Sequence, residues 1–263
     1  MTLKLWETAS GSVSRTFQGH GGAVYSVAIA RDGRTALSGS DDKTLKLWDL
    51  ASGRELRTFQ GHTSTIYSVA IALDGRTAVS GSRDKTVKLW DLASGRELRT
   101  FPGHIDDVQS VAIAPDGQTA LSGSEDKTLK LWDLASGREL RTFQGHTSSV
   151  SSVAIAPDGR TALSGSWNET FKIWDLAGGR ELRTFQGHTS LVFSVAIAPD
   201  GRTALSGSDD KTLKLWDLAS GRELYTFQGH TAPVTSVAIA PNGRTALSAS
   251  YDNTLKLWDL TGA

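Results

Sequence analysis

Cysteine is absent from the sequence, which excludes disulfides and thiolate-bound metal and leaves a reducing compartment permitted. An excess of either charge is also missing, since 28 Lys and Arg balance 28 Asp and Glu. A neutral chain lacks the basic field that nucleic-acid or anionic-membrane binding usually leaves. No run of about 18 apolar residues occurs, and the opening MTLKLWETAS contains no apolar h-region. Low-complexity tails and charge blocks are missing too, and nothing reads as a linker. No segment holds a helical apolar period, so helices are not expected. Together these absences lead to the expectation of a soluble, cytoplasmic chain, without nucleic-acid or membrane partners, folded as one domain over residues 1–263.

What the sequence has is a repeat. Gly-His occurs at Gly19, Gly61, Gly103, Gly145, Gly187 and Gly229, where the six units begin, and Trp-Asp at Trp48, Trp90, Trp132, Trp174, Trp216 and Trp258. Both pairs recur at one constant interval, that from Gly19 to Gly61, with no insertion anywhere. So regular a period means one supersecondary unit copied six times. Each unit reads as four short strands. In the first, YSVAIA (25–30) is rich in Val, Ala and Ile, as expected of a strand buried on both faces. DGR (32–34) turns into TALSGS (35–40), and DDK (41–43) turns into the alternating TLKLWDL (44–50). After ASG (51–53) comes RELRTFQ (54–60), charged enough to suit an outer edge that must repel other edges.

Four strands per unit, a Gly-His loop and a closing Trp-Asp resemble the WD-repeat β-propeller family, over essentially the whole chain and in six copies. The near-identity of the copies is similar to highly repetitive propellers of bacterial type. The resemblance implies an all-β fold of four-stranded antiparallel blades, six in number, with seven as the alternative. In the family the N-terminal outer strand usually completes the last blade, which here would set SVSRTF (12–17) beside TLKLWDL (254–260). TLKLWE (2–7) then competes for the same slot. Three outcomes stay open: this strand is displaced, or it pairs with another molecule to give a strand-exchanged oligomer, or there are not simply six blades. A monomer with the strand displaced is the expectation.

Each unit holds Ser, His and Asp, the vocabulary of acyl transfer. Six copies suit a structural device better than one activated site, and no nucleophile elbow is present. The resemblance implies that the loop His bonds the turn Asp and a Ser, which receives the Trp N–H. The sets are His20, Ser38, Asp42 and Trp48; His62, Ser80, Asp84 and Trp90; and His104, Ser122, Asp126 and Trp132. They continue with His146, Ser164, Asn168 and Trp174; His188, Ser206, Asp210 and Trp216; and His230, Ser248, Asp252 and Trp258. Ser38 and Ser40 lie on one face by alternation, and either could be the member. Histidines a whole repeat apart have no metal-ligand spacing, and no Walker or dinucleotide pattern follows the glycines. No cofactor, metal or enzymatic activity is expected.

Among such similar copies, the columns that vary stand out. Ala23, Thr65, Asp107, Ser149, Leu191 and Pro233 form one, in the loop entering the innermost strand. Tyr25, Tyr67, Gln109, Ser151, Phe193 and Thr235 form the next. Asp41, Arg83, Glu125, Trp167, Asp209 and Tyr251 form the third, in the turn leaving the second strand. Antiparallel strands place loop and turn at one end of a blade, which in a propeller is the mouth of the central channel. The opposite turns, PDGR and LASGR, are nearly constant. Exposed aromatics are typical anchors of protein interfaces. A protein or peptide ligand is therefore expected at Tyr25, Asp41, Tyr67, Arg83, Asp107, Gln109, Glu125, Trp167, Leu191, Phe193, Asp209 and Tyr251. Asp106, Asp107 and Glu125 read as an acidic sector, fitting a basic group beside an apolar anchor. Asn168, in place of the turn aspartate, should still accept a bond from His146 but without the charge-assisted part. A purely architectural or oligomerisation module, as part of a larger signalling protein, is the competing expectation.

Overall fold

The computed structural model describes residues 2–262, and every regular element in it is a β-strand. A hairpin of Thr2–Glu7 with Ser12–Gln18 comes first, and six sheets follow in chain order. In the first of these, the order from inside outward is Val24–Ile29, Thr35–Ser40, Thr44–Asp49 and Glu55–Gln60. All neighbours are antiparallel, in a register that sets Val27 opposite Ser38, Leu37 opposite Leu47 and Leu45 opposite Phe59. The fold is that of a six-bladed β-propeller. The described residues form two compact units, one of residues 2–122 with 130–140 and the other of 123–129 with 141–262.

Within the first unit, Leu37, Leu45, Leu47 and Phe59 of one blade pack on Ile66, Val69, Ala78 and Trp90 of the next. Within the second, Leu163, Phe171 and Phe185 pack on Val192, Val195, Ala204 and Trp216. The Ser-Gly-Ser glycine permits this approach. A Cβ at Gly39 would stand 2.7 Å from Ile66 Cγ2, and one at Gly207 2.8 Å from the methyls of Val234 and Val237. The Gly-His glycine serves the tryptophan in the same way, since a Cβ at Gly61 would lie 3.0 Å from Trp90 Cη2. Phe59 meets the edge of Trp90 with ring centroids 5.9 Å apart, a geometry that contributes about 0.5–1.5 kcal/mol beyond area burial.

Two expectations are corrected. The strand buried on both faces is the second, TAVSGS in the second blade, not the innermost, where only Ile66 and Val69 are buried and the rest are half-exposed. The physical reason is that the innermost strand is a sheet edge, whereas the second lies between two strands as well as between two faces. The N-terminal outer strand does not complete the last blade. Ser12–Gln18 pairs with Thr2–Glu7, setting Leu3 opposite Phe17 and Lys4 opposite Thr16. That register copies Leu45 opposite Phe59 and Lys46 opposite Thr58 in the first blade, because TLKLWE has the same apolar pattern as TLKLWD. Residues 2–7 are thus a strand paired within the chain, not a displaced one. The last sheet ends at its third strand, Leu255–Asp259.

Candidate functional site

The repeated polar chain is built from the loop inward. His20 Nδ1 lies 2.8 Å from Asp42 Oδ2, His20 Nε2 2.7 Å from Ser38 Oγ, and Trp48 Nε1 donates to Ser38 Oγ at 2.8 Å. The Ser38-type serine is therefore the member. Ser40 Oγ instead accepts the Asp42 N–H at 3.2 Å. Burial pushes the Asp42 carboxyl up, but hydrogen bonds from Thr44, His20 and the Gly21 N–H outweigh it and hold the pKa at about 2. The same chain joins His62, Asp84, Ser80 and Trp90, and likewise His188, Asp210, Ser206 and Trp216. It recurs in the sixth blade through His230, Asp252, Ser248 and Trp258. In the third, His104 and Trp132 both reach Ser122.

The fourth blade departs from this pattern, and the expected bond from His146 to Asn168 is not made. Thr170 Oγ1 donates to Asn168 Oδ1 at 2.8 Å, while Asn168 Nδ2 donates to Thr147 Oγ1 at 3.1 Å. His146 keeps Ser164 at 2.6 Å, but its buried Nδ1 has no partner. The cause is acceptor arithmetic. An aspartate has two acceptor oxygens, and in the fifth blade Asp210 Oδ2 takes both His188 Nδ1 and the Thr189 N–H. Asparagine has one acceptor oxygen, turned toward Thr170, and on the Thr147 side it carries the Nδ2 donor where aspartate has its second oxygen. Burial, followed by the Lys172 charge, pushes the His146 pKa down to about 4.

The variable columns meet at one end of each blade. The residue after the second strand donates its N–H to the loop residue before the innermost strand: Asp41 to Ala23 at 2.8 Å, Arg83 to Thr65 at 2.8 Å, Trp167 to Ser149 at 3.0 Å. Asp209 does the same to Leu191 at 2.9 Å, and Tyr251 to Pro233 at 3.0 Å. The middle column has its own cause. Tyr25, Tyr67, Ser151, Phe193 and Thr235 each fall where the innermost strand's register shifts, as the extra residue of a β-bulge. A bulge frees its side chain from the alternation of the sheet and re-aims it.

In the first unit these positions make a compact patch. Tyr25 and Tyr67 meet edge to face at 5.5 Å, with Tyr25 55% exposed. Thr65 Oγ1 donates to Asp41 at 2.6 Å, and Arg83 Nε lies 3.7 Å from Asp107 Oδ2. The third blade's aspartates are consequently not a bare acidic sector. Arg83 faces Asp107, and Lys85 Nζ lies 3.9 Å from Asp106. Burial pushes the Asp107 carboxyl up against the pull of Arg83. Gln109 is half-buried in the same unit. In the second unit Trp167 and Tyr251 are exposed, whereas Glu125, Leu191, Phe193 and Asp209 are half-buried. Ser190 Oγ donates to Asp209 at 2.8 Å.

Two features of this blade end escaped the sequence reading. Ile105 is 79% exposed, the highest of the large apolar side chains, and Lys85 Nζ donates to its carbonyl at 2.8 Å. Lys43, Lys85, Lys127 and Lys211 each hold φ near +70°, a left-handed conformation that costs a non-glycine residue of order 1 kcal/mol. A lysine retained there four times keeps an exposed cation beside the variable turn. Its constancy hid it, because only varying columns drew notice.

A family model described as WD domain, G-beta repeat matches residues 11–49, 53–91, 95–133, 137–175, 179–217 and 221–259. No individual curated protein matches the chain.

Proposed function

The chain belongs to the WD domain, G-beta repeat family, whose propellers typically act as protein-interaction scaffolds, and from that premise we propose a non-enzymatic module that binds a protein or peptide. The ligand contacts the blade end where the loop before the innermost strand meets the turn after the second. The observation that carries this reading is the bulge. It lifts the variable residue of the innermost strand, Tyr25 above all, out of the sheet beside the variable turn residue. Variation, exposure and a device for aiming side chains coincide at one end of the blade.

The geometry of the Ser–His–Asp sets supports a role other than catalysis. Ser38 is fully buried and receives the Trp48 N–H, while His20 is 4% exposed. A nucleophile must meet its substrate, and the Ser38 hydroxyl is buried and already bonded to His20 and Trp48. Their work is to satisfy buried polar atoms that would each cost about 1–3 kcal/mol unpaired.

Peptides selected on the immobilised protein from a random library provide the test, followed by titration against Tyr25→Ala and Tyr251→Ala. A ligand of this face loses at least about tenfold in affinity with one of the two, as expected of an interface aromatic. Selected ligands that ignore both substitutions refute the reading.

A further inference from the structure

We propose that the seam between the second and third blades, at the variable blade end, recognises a peptide or protein segment in which an apolar side chain neighbours a carboxylate. The proposal rests on the reading of this end as the binding face and names the chemistry of its occupant.

Two departures from the repeat meet at this seam. The turn after the second strand begins with Arg83 in the second unit, where the other units have Asp41, Glu125, Trp167, Asp209 and Tyr251. The loop after the histidine reads Ile105, Asp106, Asp107 in the third unit, and no other unit has an acidic residue in that loop. The one turn that begins with a base thus faces the one acidic loop. Arg83 Nε lies 3.7 Å from Asp107 Oδ2, and Lys85 Nζ lies 3.9 Å from Asp106 Oδ1. Lys85 Nζ also donates to the Ile105 carbonyl at 2.8 Å. Lys43 and Lys211, at the place of Lys85, make no such side-chain bond among the described residues. Drift at turn tips would scatter charges; here the changes in two separate units fall on facing partners.

What the pinned loop presents is Ile105. It stands where Thr63, Thr147, Thr189 and Thr231 stand in four other units, and so large an exposure adds almost nothing to the core. A single exposed isoleucine needs no explanation by itself. This one has its backbone held by Lys85 and its loop held by two charge pairs, so it is placed before any partner arrives and little ordering remains to be done on binding. An apolar centre inside a charged rim is the anatomy of an interface anchor.

The sign of the rim selects the partner. The Lys85 and Asp106 side chains are equally exposed, at 52% and 49%, and offset each other. Arg83 and Asp107 are not matched in this way, at 62% and 15%, and the inward Asp107 carboxylate also receives a hydrogen bond from Tyr67. The Arg83 guanidinium makes no hydrogen bond among the described residues. The charge turned outward is therefore a cation with its donor fork unspent, which suits a carboxylate taken bidentately. That reverses the expectation of a basic group opposite the third blade's aspartates.

The test takes random-library peptides selected on the immobilised whole chain and titrates them, labelled, by fluorescence anisotropy. The selected sequences should carry Leu, Ile, Phe or Trp beside Asp or Glu. Ile105→Thr protein should melt as the wild type does and bind such a peptide at least about tenfold more weakly. Lysine in place of the peptide's acidic residue should weaken binding to the wild type by a similar factor. Arg83→Glu protein should prefer the lysine peptide. If that variant fails to fold by circular dichroism, the two peptides on wild-type protein still decide. Selected peptides without the apolar–acidic pair overturn the proposal. So does a peptide that binds Ile105→Thr protein as it binds the wild type and is indifferent to the lysine exchange. Where those same peptides still lose affinity with Tyr25→Ala or Tyr251→Ala, the binding face stands and only the chemistry assigned to its occupant falls. A selection that yields no binder, or binders that ignore every variant, overturns both.

Discussion

Replacing Asn168 by aspartate should make the protein more stable, an unusual direction for a substitution that buries charge. Asn168 spends its single oxygen on Thr170, and His146 Nδ1 is buried without a partner. Aspartate in the geometry of Asp210 would accept both His146 Nδ1 and the Thr147 N–H, as Asp210 does from His188 and Thr189. A hydrogen bond to a charged group contributes about 1.5–3 kcal/mol, and desolvating the carboxylate offsets part of it, leaving a gain of about 2 kcal/mol at pH 7. In a chain of this size that raises Tm by about 4–8 °C. The pH dependence is the sharper signature. The His146 pKa falls from 6.5 to about 4 in the folded state, so the unfolded chain binds the extra proton between those values. Wild-type stability is then complete above pH 6.5 and falls as the pH drops toward 4, by about 2 kcal/mol at pH 5. A carboxylate at 168 restores the charged imidazole's partner and offsets part of that loss, since burial still lowers the His20 pKa beside Asp42. The advantage of Asn168→Asp should therefore grow from about 2 kcal/mol at pH 7 to about 3 at pH 5, and to no more than about 4. It should shrink again as the new carboxyl protonates between pH 3.8 and about 2, the range over which Asp42 does. Guanidinium denaturation at pH 7 and pH 5 measures both. No gain at pH 7, or the same gain at both, would refute the reasoning.

Three further outcomes follow from the packing. Gly207→Ala should cost about 2 kcal/mol or more, since its Cβ would stand 2.8 Å from the methyls of Val234 and Val237; Ala249→Gly, at the matching place, should change stability by less than about 1 kcal/mol. Thermal melts of the pair check the contrast, and equal costs would count against it. Lys43→Asn should raise stability by about 0.5–1 kcal/mol, because Lys43 holds φ +67° and asparagine, found there at position 253, tolerates it; a fall in the denaturation midpoint would contradict this. Ser80→Ala strands Trp90 Nε1 and His62 Nε2 together, so it should cost about 2–6 kcal/mol, with Trp fluorescence reporting the earlier melt, whereas Ser10→Ala at the exposed N-terminal turn should cost nothing measurable.

The constant repeat interval made the strand count and the blade number legible, because each copy carries the same alternation and the same turn glycines. The Gly-His and Trp-Asp pairs were legible as a hydrogen-bonded set for the same reason. Closure was not. TLKLWE and TLKLWDL are interchangeable as partners for SVSRTF, and nothing local decides between two strands of one sequence. The bulge at Tyr25 was invisible because it is a mismatch of register between two strands, one residue against none, and composition does not record pairing. The unpartnered Nδ1 of His146 was missed because asparagine and aspartate share a turn geometry while differing in acceptors. The innermost strand reads as doubly buried because Val and Ile are core residue types, although the strand is a sheet edge and its second isoleucine, Ile71 in the second blade, stays half-exposed.

Hydrogen–deuterium exchange of the protein with and without a library-selected peptide tests the binding face most directly. Protection should appear in the loops and turns of the variable end, residues 20–25, 41–43, 62–67 and 83–85 in the first unit and 165–169 in the second. The constant turns at the other end, such as 31–34 and 73–76, should exchange at their unliganded rate. Protection confined to those constant turns would contradict the assignment of the bulged, variable end as the surface that recognises a partner.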